Sequence, residues 1–301
     1  MTSADVLLLL VAFVFGANNI GVIRSAFRQV SGRAVSLYLG AAALAFAAGY
    51  VLEGSKVSST LTTGLTNAGT QASEAALVAV LTLMAAFTIL KFPASVSNVL
   101  LGSMLGVSLA MNATIRLNVL SYVIAAWLIS PLSAAILAVL IRRVILSFEA
   151  RTSLMAVESW SRVLGVVAVV VSGYTLGANN LGALLGFTSG PLMSGLVLLA
   201  AVAGGLLFSG SVAWMVGWRM AVLSPSGYLS ALLGASATLW VYTQLGIPTS
   251  VTQAIVGAMV VLSISRKPSI VDSRVVFEVL GSWPLLLASS TVVAFVASRL
   301  I

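Results

Sequence analysis

Long apolar runs separated by short polar segments recur along the whole chain. These runs cover residues 6–29, 35–52, 75–91, 93–110 and 117–141 in the first half and residues 163–187, 191–208, 227–245, 248–264 and 275–299 in the second. Each run is continuous, whereas the strands of a transmembrane barrel alternate apolar and polar positions over about ten residues. The pattern therefore predicts an all-α polytopic membrane protein with about ten transmembrane segments.

One short polar sequence interrupts an apolar run in each half. Residues 16–19 and residues 177–180 both read Gly-Ala-Asn-Asn, and the copies are 161 residues apart. A second pair follows in the same order, Pro-Ala-Ser-Val-Ser-Asn at 93–98 and Pro-Thr-Ser-Val-Thr-Gln at 248–253, with an offset of 155 residues. Two motifs in one order at nearly one offset indicate an internal duplication. We expect both Gly-Ala-Asn-Asn copies to break their helices and both prolines to begin half-helices.

The number of segments in each half determines how the halves lie in the membrane. Five is an odd number, so the halves would enter with opposite orientation, as inverted-topology repeats with broken or re-entrant helices. Twelve of the fifteen Lys and Arg residues then fall on one side, and only Lys56, Arg116 and Arg299 fall on the other. Because basic residues favour cytoplasmic loops, both termini are predicted outside.

The same pattern divides the chain into three parts. Residues 1–141 form one predicted membrane repeat and residues 163–301 form the other. Residues 142–162 between them carry many of the charged side chains and are predicted to be a cytoplasmic linker.

Composition supports the membrane interpretation and excludes several kinds of chemistry. A mean hydropathy of +1.13 with only 7% charged residues is not that of an ordinary soluble domain. The chain has no Cys and no His, which excludes disulfides, thiolate or imidazole metal sites and histidine acid–base catalysis. The net charge of +8 follows from the cytoplasmic loops, so no nucleic-acid partner is predicted. Asp5 precedes the first apolar run without a basic leader, and no cleavable signal peptide is expected.

The four polar segments combine groups suited to binding a solute within the membrane. A helix break frees amide hydrogens and carbonyls, so it is tolerated where it faces protein, water or a solute. Carboxamides both donate and accept hydrogen bonds, and the N-termini of helices favour anions. The candidate substrate-binding residues are Asn18, Asn19, Asn179, Asn180, Ser95, Ser97, Asn98, Ser250, Thr252 and Gln253.

Structural roles are the competing interpretation of these residues. Ser250 and Gln253 have the spacing of a capping box, which closes a helix end. Buried Asn, Ser and Thr also hold membrane helices together without contacting a solute. The ordered duplication favours a binding site, because polar groups within a membrane are costly. Arg24 lies near the predicted cytoplasmic end of its helix and is expected to reach the interface rather than the anion. Its counterpart in the other half is Leu185, which gives an anion contact no symmetric support.

These motifs resemble the signature of the inorganic phosphate transporter (PiT) family, G-A-N-D-x-x-N early and P-x-S-T-T-(H/Q) later in each half. The resemblance covers nearly the whole chain and is strongest at residues 248–258. It implies an inverted-repeat fold with both termini outside, and secondary transport of phosphate with Na⁺ or H⁺. It also implies that the substrate and cation sites are lined by Asn18, Asn179, Ser95, Ser97, Ser250, Thr252 and Gln253.

The chain departs from the family signature at its acidic positions. Asn19 and Asn180 replace the family aspartates, and Val22 and Ala183 replace the later asparagines. All seven acidic residues lie outside the motifs: Asp5, Glu53, Glu74, Glu149, Glu158, Asp272 and Glu278. The motifs therefore offer no carboxylate to bind Na⁺ or carry a proton. Removing two negative charges also favours a fully ionised oxyanion such as sulfate, which has no proton for a carboxylate to accept.

The primary hypothesis is a permease in the cell membrane that moves a tetrahedral oxyanion, with inorganic phosphate named first, by alternating access. A sulfate permease of the same fold is the alternative, and an anion sensor that does not transport is a third. No cofactor is predicted besides a coupling Na⁺ or H⁺, and a homo-oligomer in the lipid bilayer is compatible with the sequence. An enzyme is not predicted, because the motifs contain no histidine, cysteine or acid to act as nucleophile, acid or base.

Overall fold

The computed structural model describes residues 1–30, 35–67, 73–216, 223–265 and 272–301. Within these ranges the secondary structure is helical, apart from one isolated β-bridge between Thr66 and Ile115. The predicted all-α fold is confirmed. Four of the basic residues assigned to the cytoplasmic side lie outside the described residues: Arg33, Arg219, Arg266 and Lys267.

Each of the ten predicted apolar runs contains a helix. The first half contains α1 (Ser3–Val30), α2 (Val35–Glu53), α3 (Ser55–Ser59), α4 (Ser73–Ile89), α5 (Val96–Ala110) and α6 (Leu117–Glu149), with a π-helical turn at Thr60–Gly64. The second half contains α7 (Leu154–Thr175), α8 (Pro191–Phe208), α9 (Gly210–Trp214), α10 (Pro225–Gln244), α11 (Val251–Ile264) and α12 (Ser273–Leu300). A π-helical turn at Leu176–Leu181 and a 3₁₀ segment at Gly182–Phe187 continue α7.

Helix lengths bear on how many segments cross the membrane. Five helical segments of the described chain are long and apolar enough to do so: Ser3–Ser25, Leu117–Glu149, Met155–Phe187, Pro191–Phe208 and Ser273–Leu300. Four other apolar helical segments are shorter: Tyr38–Glu53, Glu74–Ile89, Val96–Ala110 and Val251–Ile264. Helix α4 packs against α5, and α10 packs against α11, so that each pair forms a helical hairpin. The count of ten crossing segments and the inverted orientation of the halves remain predictions.

The first Gly-Ala-Asn-Asn copy does not break its helix, so this prediction is wrong. Helix α1 continues through residues 16–19, and Asn19 Nδ2 donates to the Phe15 carbonyl oxygen one turn earlier (3.3 Å). The second copy lies in the π-helical turn Leu176–Leu181, which widens the helix without ending it. Asn18, Asn179 and Asn180 donate to the neighbouring hairpins, and Asn19 donates to the preceding turn of its own helix, so neither copy ends its helix.

Close backbone contact joins α1 of the first half to α8 of the second. A Cβ atom added at Gly16 would lie 1.8 Å from the Ala201 carbonyl oxygen, and one added at Gly204 would lie 1.9 Å from the Phe13 carbonyl oxygen. Only glycine fits at either position, because real Cβ atoms do not approach oxygen so closely. Small residues of this kind let membrane helices pack at short distance.

Helices α2 and α7 make the equivalent contact with the roles of the halves exchanged. A Cβ atom added at Gly177 would lie 2.0 Å from the Phe46 carbonyl oxygen, and one at Gly49 would lie 2.0 Å from the Tyr174 carbonyl oxygen. Gly177 and Tyr174 follow Gly16 and Phe13 by 161 residues each. Ala201 and Gly204 follow Phe46 and Gly49 by 155 residues each. Such reciprocity is what an internal duplication produces, and it brings the two asparagine pairs to the centre of the protein.

We expect Gly204→Ala to destabilise the protein, because the added methyl group forces α8 away from α1. The cost of such overpacking is about 1–3 kcal/mol, measurable as a lower midpoint of thermal unfolding in detergent. Gly195→Ala in the same helix is the matched control: nothing lies within 4 Å of its added Cβ, and the change is expected to be neutral or slightly stabilising. Equal midpoints for the two variants would contradict the close packing of α1 on α8.

Candidate functional site

The half-helices α5 and α11 begin three residues later than predicted. Pro93 and Pro248 lie in unwound segments, and the N-caps are Ser95 and Ser250. Ser95 Oγ accepts a hydrogen bond from the Asn98 amide (3.3 Å), and Ser250 Oγ accepts one from the Gln253 amide (3.2 Å). A serine at this position satisfies one of the four amides that a helix N-terminus leaves unpaired. Ser95 and Ser250 therefore have the capping role that was the competing interpretation for Ser250.

Asn18 holds the unwound segment of the first hairpin. Its Nδ2 donates to the Phe92 carbonyl oxygen (2.9 Å) and to Thr88 Oγ1 (3.1 Å), and its Oδ1 accepts from the Ala94 amide (2.8 Å). The side chain is buried, and these bonds use both of its donors and its carbonyl oxygen. Asn18 thus supplies partners that the backbone loses where the helix unwinds.

Asn179 makes the same set of bonds to the second hairpin. Its Nδ2 donates to Thr243 Oγ1 (2.9 Å) and to the Ile247 carbonyl oxygen (3.1 Å), and its Oδ1 accepts from the Thr249 amide (2.9 Å). Thr243, Ile247 and Thr249 follow Thr88, Phe92 and Ala94 by 155 residues each. The first asparagine of each pair is therefore a clamp on backbone, with no amide hydrogen left for a solute.

Two further bonds join the hairpins to each other. Ser97 Oγ donates to the Thr249 carbonyl oxygen (2.8 Å), and Thr252 Oγ1 donates to the Ala94 carbonyl oxygen (3.2 Å). All four residues are buried, so the N-terminal ends of α5 and α11 meet inside the protein. Apart from the Asn98 and Gln253 amides, which donate to the N-cap serines, the first-turn amides of each half-helix have no partner within their own helix, and the positive ends of two helix dipoles come together at this place.

Asn98 and Gln253 lie on another side of this junction. Asn98 Nδ2 donates to the Trp283 carbonyl oxygen (3.1 Å), and Gln253 Nε2 donates to Asn98 Oδ1 (3.4 Å). Both residues line a cavity of about 500 Å³ between α6 and α12, together with Trp127. The walls of that cavity are otherwise apolar, so these two carboxamides stand apart from the asparagine pairs.

Asn19 and Asn180 differ from the clamping asparagines in their oxygen atoms. Both side chains are buried, and neither Oδ1 has a hydrogen-bond partner in the described part of the chain. Asn180 Nδ2 donates to the Thr249 carbonyl oxygen (3.0 Å) and to Ser97 Oγ (3.2 Å), and Asn19 Nδ2 donates to Phe15. Because a backbone carbonyl can only accept, these contacts fix which end of each carboxamide is the donor. Each second asparagine therefore presents a hydrogen-bond acceptor.

No carboxylate belongs to this central group of residues. All seven acidic residues fall within the described ranges, and none of them forms a hydrogen bond to a motif residue there. The described residues also contain no group of three or more His, Asp or Glu side chains that could hold a metal ion. A cation bound at the centre would therefore be held by neutral oxygens from carboxamides, hydroxyls and backbone carbonyls.

The structure also assigns positions to residues that were not selected from the sequence. Thr88 and Thr243 receive the clamping asparagines, and their spacing of 155 residues was a signal that the duplication offered. Thr249 lies within the second motif, but the importance of its backbone could not be inferred from its side chain. Arg24 is half-buried and donates to Ser209 Oγ (3.1 Å), which ties α1 to the segment between α8 and α9.

Comparisons with known proteins bear on the family and the fold. The sequence model of the phosphate transporter family matches residues 16–194. A Rhizobium meliloti protein named as a probable low-affinity inorganic phosphate transporter is 27% identical over 81% of this chain and 79% of its own length. A Methanocaldococcus jannaschii protein named as a phosphate permease is 23% identical over 70% of this chain and 69% of its own. The solved structure of a sodium-dependent phosphate transporter has the same fold, with a TM-score of 0.82, 17% identity and coverage of 99% of this chain and 97% of that one.

We expect Asn18→Leu to lower the free energy of unfolding by about 3 kcal/mol, because it leaves buried polar groups of the first hairpin without partners. Asn19→Leu is the matched neighbour, since it removes a single hydrogen bond of 3.3 Å, and its expected cost is less than about 1 kcal/mol. Thermal or denaturant unfolding of the purified variants in detergent measures both. A variant at Asn19 as unstable as the one at Asn18 would show that the two asparagines do not differ as described.

Proposed function

We propose that this chain, which belongs to the phosphate transporter family, is a secondary transporter that moves inorganic phosphate across the cell membrane by alternating access to one central site. The site lies where α5 and α11 meet between the two asparagine pairs. Asn18 and Asn179 hold its frame, and Asn19 and Asn180 contact the solute.

The observation that carries this proposal is the pair of buried, unbonded Oδ1 atoms of Asn19 and Asn180. A buried acceptor without a partner is costly, which indicates that a solute supplies the missing donor. Phosphate near neutral pH keeps at least one proton, and its P–OH group can donate to such an oxygen. Its remaining oxygens need donors, which the first-turn amides of α5 and α11 provide at the positive ends of two helix dipoles.

The same atoms disfavour sulfate as the substrate. Loss of two family aspartates removes negative charge, which taken alone favours a fully ionised anion. The carboxamide oxygens nevertheless remain acceptors. Asn180 Nδ2 donates both of its hydrogens, to Thr249 and Ser97, and Asn19 Nδ2 donates one to Phe15, so that the two carboxamides leave a single N–H for sulfate. Sulfate has no proton to give to an acceptor, so its oxygens would face Oδ1 atoms without a compensating hydrogen bond. Phosphate is therefore the proposed substrate and sulfate the alternative that the test must exclude.

Na⁺ is the proposed coupling ion. None of the motif residues titrates near neutral pH, so a proton has no carrier among them. Neutral oxygens from unwound backbone and from half-helix ends are the groups with which transporters of this kind coordinate Na⁺. The structural neighbour is named as sodium-dependent, which supports the same assignment.

Alternating access requires contacts that open and close on each side of the site. Thr60 Oγ1 donates to the Gly246 carbonyl oxygen (2.6 Å) at the turn of the second hairpin. Beside it, Lys56 Nζ donates to Gln244 Oε1 (2.7 Å) and pairs with Glu53 (2.8 Å). These bonds hold the α10–α11 turn against α3 and the π-helical turn that follows it, and we infer that they keep the predicted outer side closed in this conformation.

The test is uptake of radiolabelled phosphate by the purified protein in liposomes, with an imposed Na⁺ or H⁺ gradient. We expect uptake that depends on Na⁺, and a decrease of about tenfold or more in Asn19→Leu and in Asn180→Leu, because the P–OH group loses its acceptor. Asn118→Leu is the matched control: Asn118 is exposed in the first turn of α6, far from the motifs along the chain, and its variant should transport normally.

Protein yield, a monodisperse elution profile and the unfolding midpoint establish that each variant is folded before uptake is compared. Full uptake by both Leu variants would contradict the proposed role of the Oδ1 atoms. Uptake driven by a proton gradient without Na⁺ would contradict the coupling ion and leave the phosphate site intact. Binding of phosphate without any uptake would instead support an anion sensor.

A further inference from the structure

A basic cavity lies at the end of α6, remote from the central site. Its volume is about 340 Å³, and its lining comprises Arg142 and Arg143 with Val139, Leu146, Leu262 and Ser265. The walls come from α6 and from the C-terminal end of α11, which pack against each other. Two guanidinium groups surrounded by apolar side chains suit an anion that has apolar groups of its own or that is located next to apolar groups.

The position along α6 places this cavity at the membrane surface. Arg142 lies 25 residues after Leu117, which begins α6, and at about 1.5 Å per residue this is about 38 Å along the helix. The hydrocarbon layer of a bilayer is about 30 Å thick, so the two arginines reach the layer of lipid phosphates on the side predicted to be cytoplasmic. Leu128, Leu132 and Leu140 are exposed on the preceding turns, as expected of a lipid-facing helix.

Arg143 has no acidic partner in this cavity. None of the seven acidic residues lines it. The ion pairs of the described residues join Lys56 to Glu53, Arg162 to Glu158 and Arg274 to Glu278, and none includes Arg143. The Asp272 carboxylate is engaged in capping α12, where it accepts from the Arg274 and Val275 amides.

A helix N-terminus adds to this positive field. The buried Nη1 atom of Arg142 lies beside the first turn of α10, close enough that a Cβ added at Gly227 would come within 2.8 Å of it. The positive end of the α10 dipole and the guanidinium thus occupy neighbouring places, which raises the local potential further. Ser265 Oγ donates to the Val261 carbonyl oxygen, so the arginines are the groups of the lining that can donate to an anion.

The geometry points to a second anion site, in which Arg142 and Arg143 bind a phosphate group at the cytoplasmic membrane surface. The group belongs either to the headgroup of an anionic phospholipid or to inorganic phosphate, and both offer the same oxygens to the guanidinium forks. The depth along α6 and the apolar walls favour the headgroup. An anchored headgroup would hold the inner ends of α6, α10 and α11 together, and would thereby link lipid composition to the movement of the second hairpin.

The test compares lipid retention by the wild-type protein and by an Arg142→Gln, Arg143→Gln variant, using native mass spectrometry after exchange into phosphatidylglycerol or phosphatidylcholine. Each guanidinium near an anionic surface contributes about fivefold in affinity, so we expect the double variant to hold phosphatidylglycerol roughly 25-fold more weakly, with phosphatidylcholine unchanged. A parallel assay measures the binding of radiolabelled inorganic phosphate to delipidated protein. If the wild type has a second class of phosphate sites that the double variant lacks, the occupant of the cavity is free phosphate rather than a lipid headgroup.

Two controls keep the result interpretable. Arg151→Gln removes one charge from an exposed position on the same side, outside the cavity, and should leave lipid retention unchanged. Arg143→Lys keeps the charge and should retain most of the binding, and the single variant Arg143→Gln replaces the double variant if the latter does not fold. Equal retention of both lipids and equal phosphate binding by wild type and Gln variants, with only a lower unfolding midpoint, would overturn the proposal and leave the arginines as counter-charges to the C-terminal end of α11.

Discussion

The structure depends on satisfying unwound backbone in the middle of a membrane protein. Each hairpin loses helical hydrogen bonds where it turns, and lipid offers no replacement. Asn18 and Asn179 supply them, each with two donated bonds and one accepted bond to its own hairpin. With both turns held in this way, the N-terminal ends of α5 and α11 can meet at the centre and expose their first amides there.

This constraint separates the four asparagines into two kinds. The first of each pair is engaged by the hairpin backbone, and the second has a buried carbonyl oxygen without a partner among the described residues, which we propose to be the contact for a solute. An acceptor at these positions preserves part of what a carboxylate would offer, namely an oxygen for a phosphate proton or for Na⁺, without its charge. The change from aspartate to asparagine thus alters the electrostatics of the site more than its hydrogen-bonding geometry.

Much of the fold could be predicted from the sequence, because membrane helices are marked by apolar length and by the prolines that end them. The ten helical runs, the duplication and the candidate residues all followed from such local signals. The use of each carboxamide could not be predicted, since it depends on which backbone lies opposite. For this reason α1 was expected to break at Asn18 and Asn19, although it is continuous: Asn18 bonds to the first hairpin, and Asn19 bonds to Phe15 within α1. The caps at Ser95 and Ser250 depended likewise on backbone angles that proline alone does not determine.

The central claim is that the site offers acceptors to a protonated oxyanion, and competition binding tests it most directly. Radiolabelled phosphate would be bound to the purified protein in detergent, with unlabelled sulfate or phosphate added at constant ionic strength. A site built to accept the P–OH proton predicts that about a hundredfold excess of sulfate displaces little phosphate. Displacement by sulfate at the same concentration as by phosphate would contradict the account, because it would mean that the Asn19 and Asn180 oxygens do not contact the bound anion.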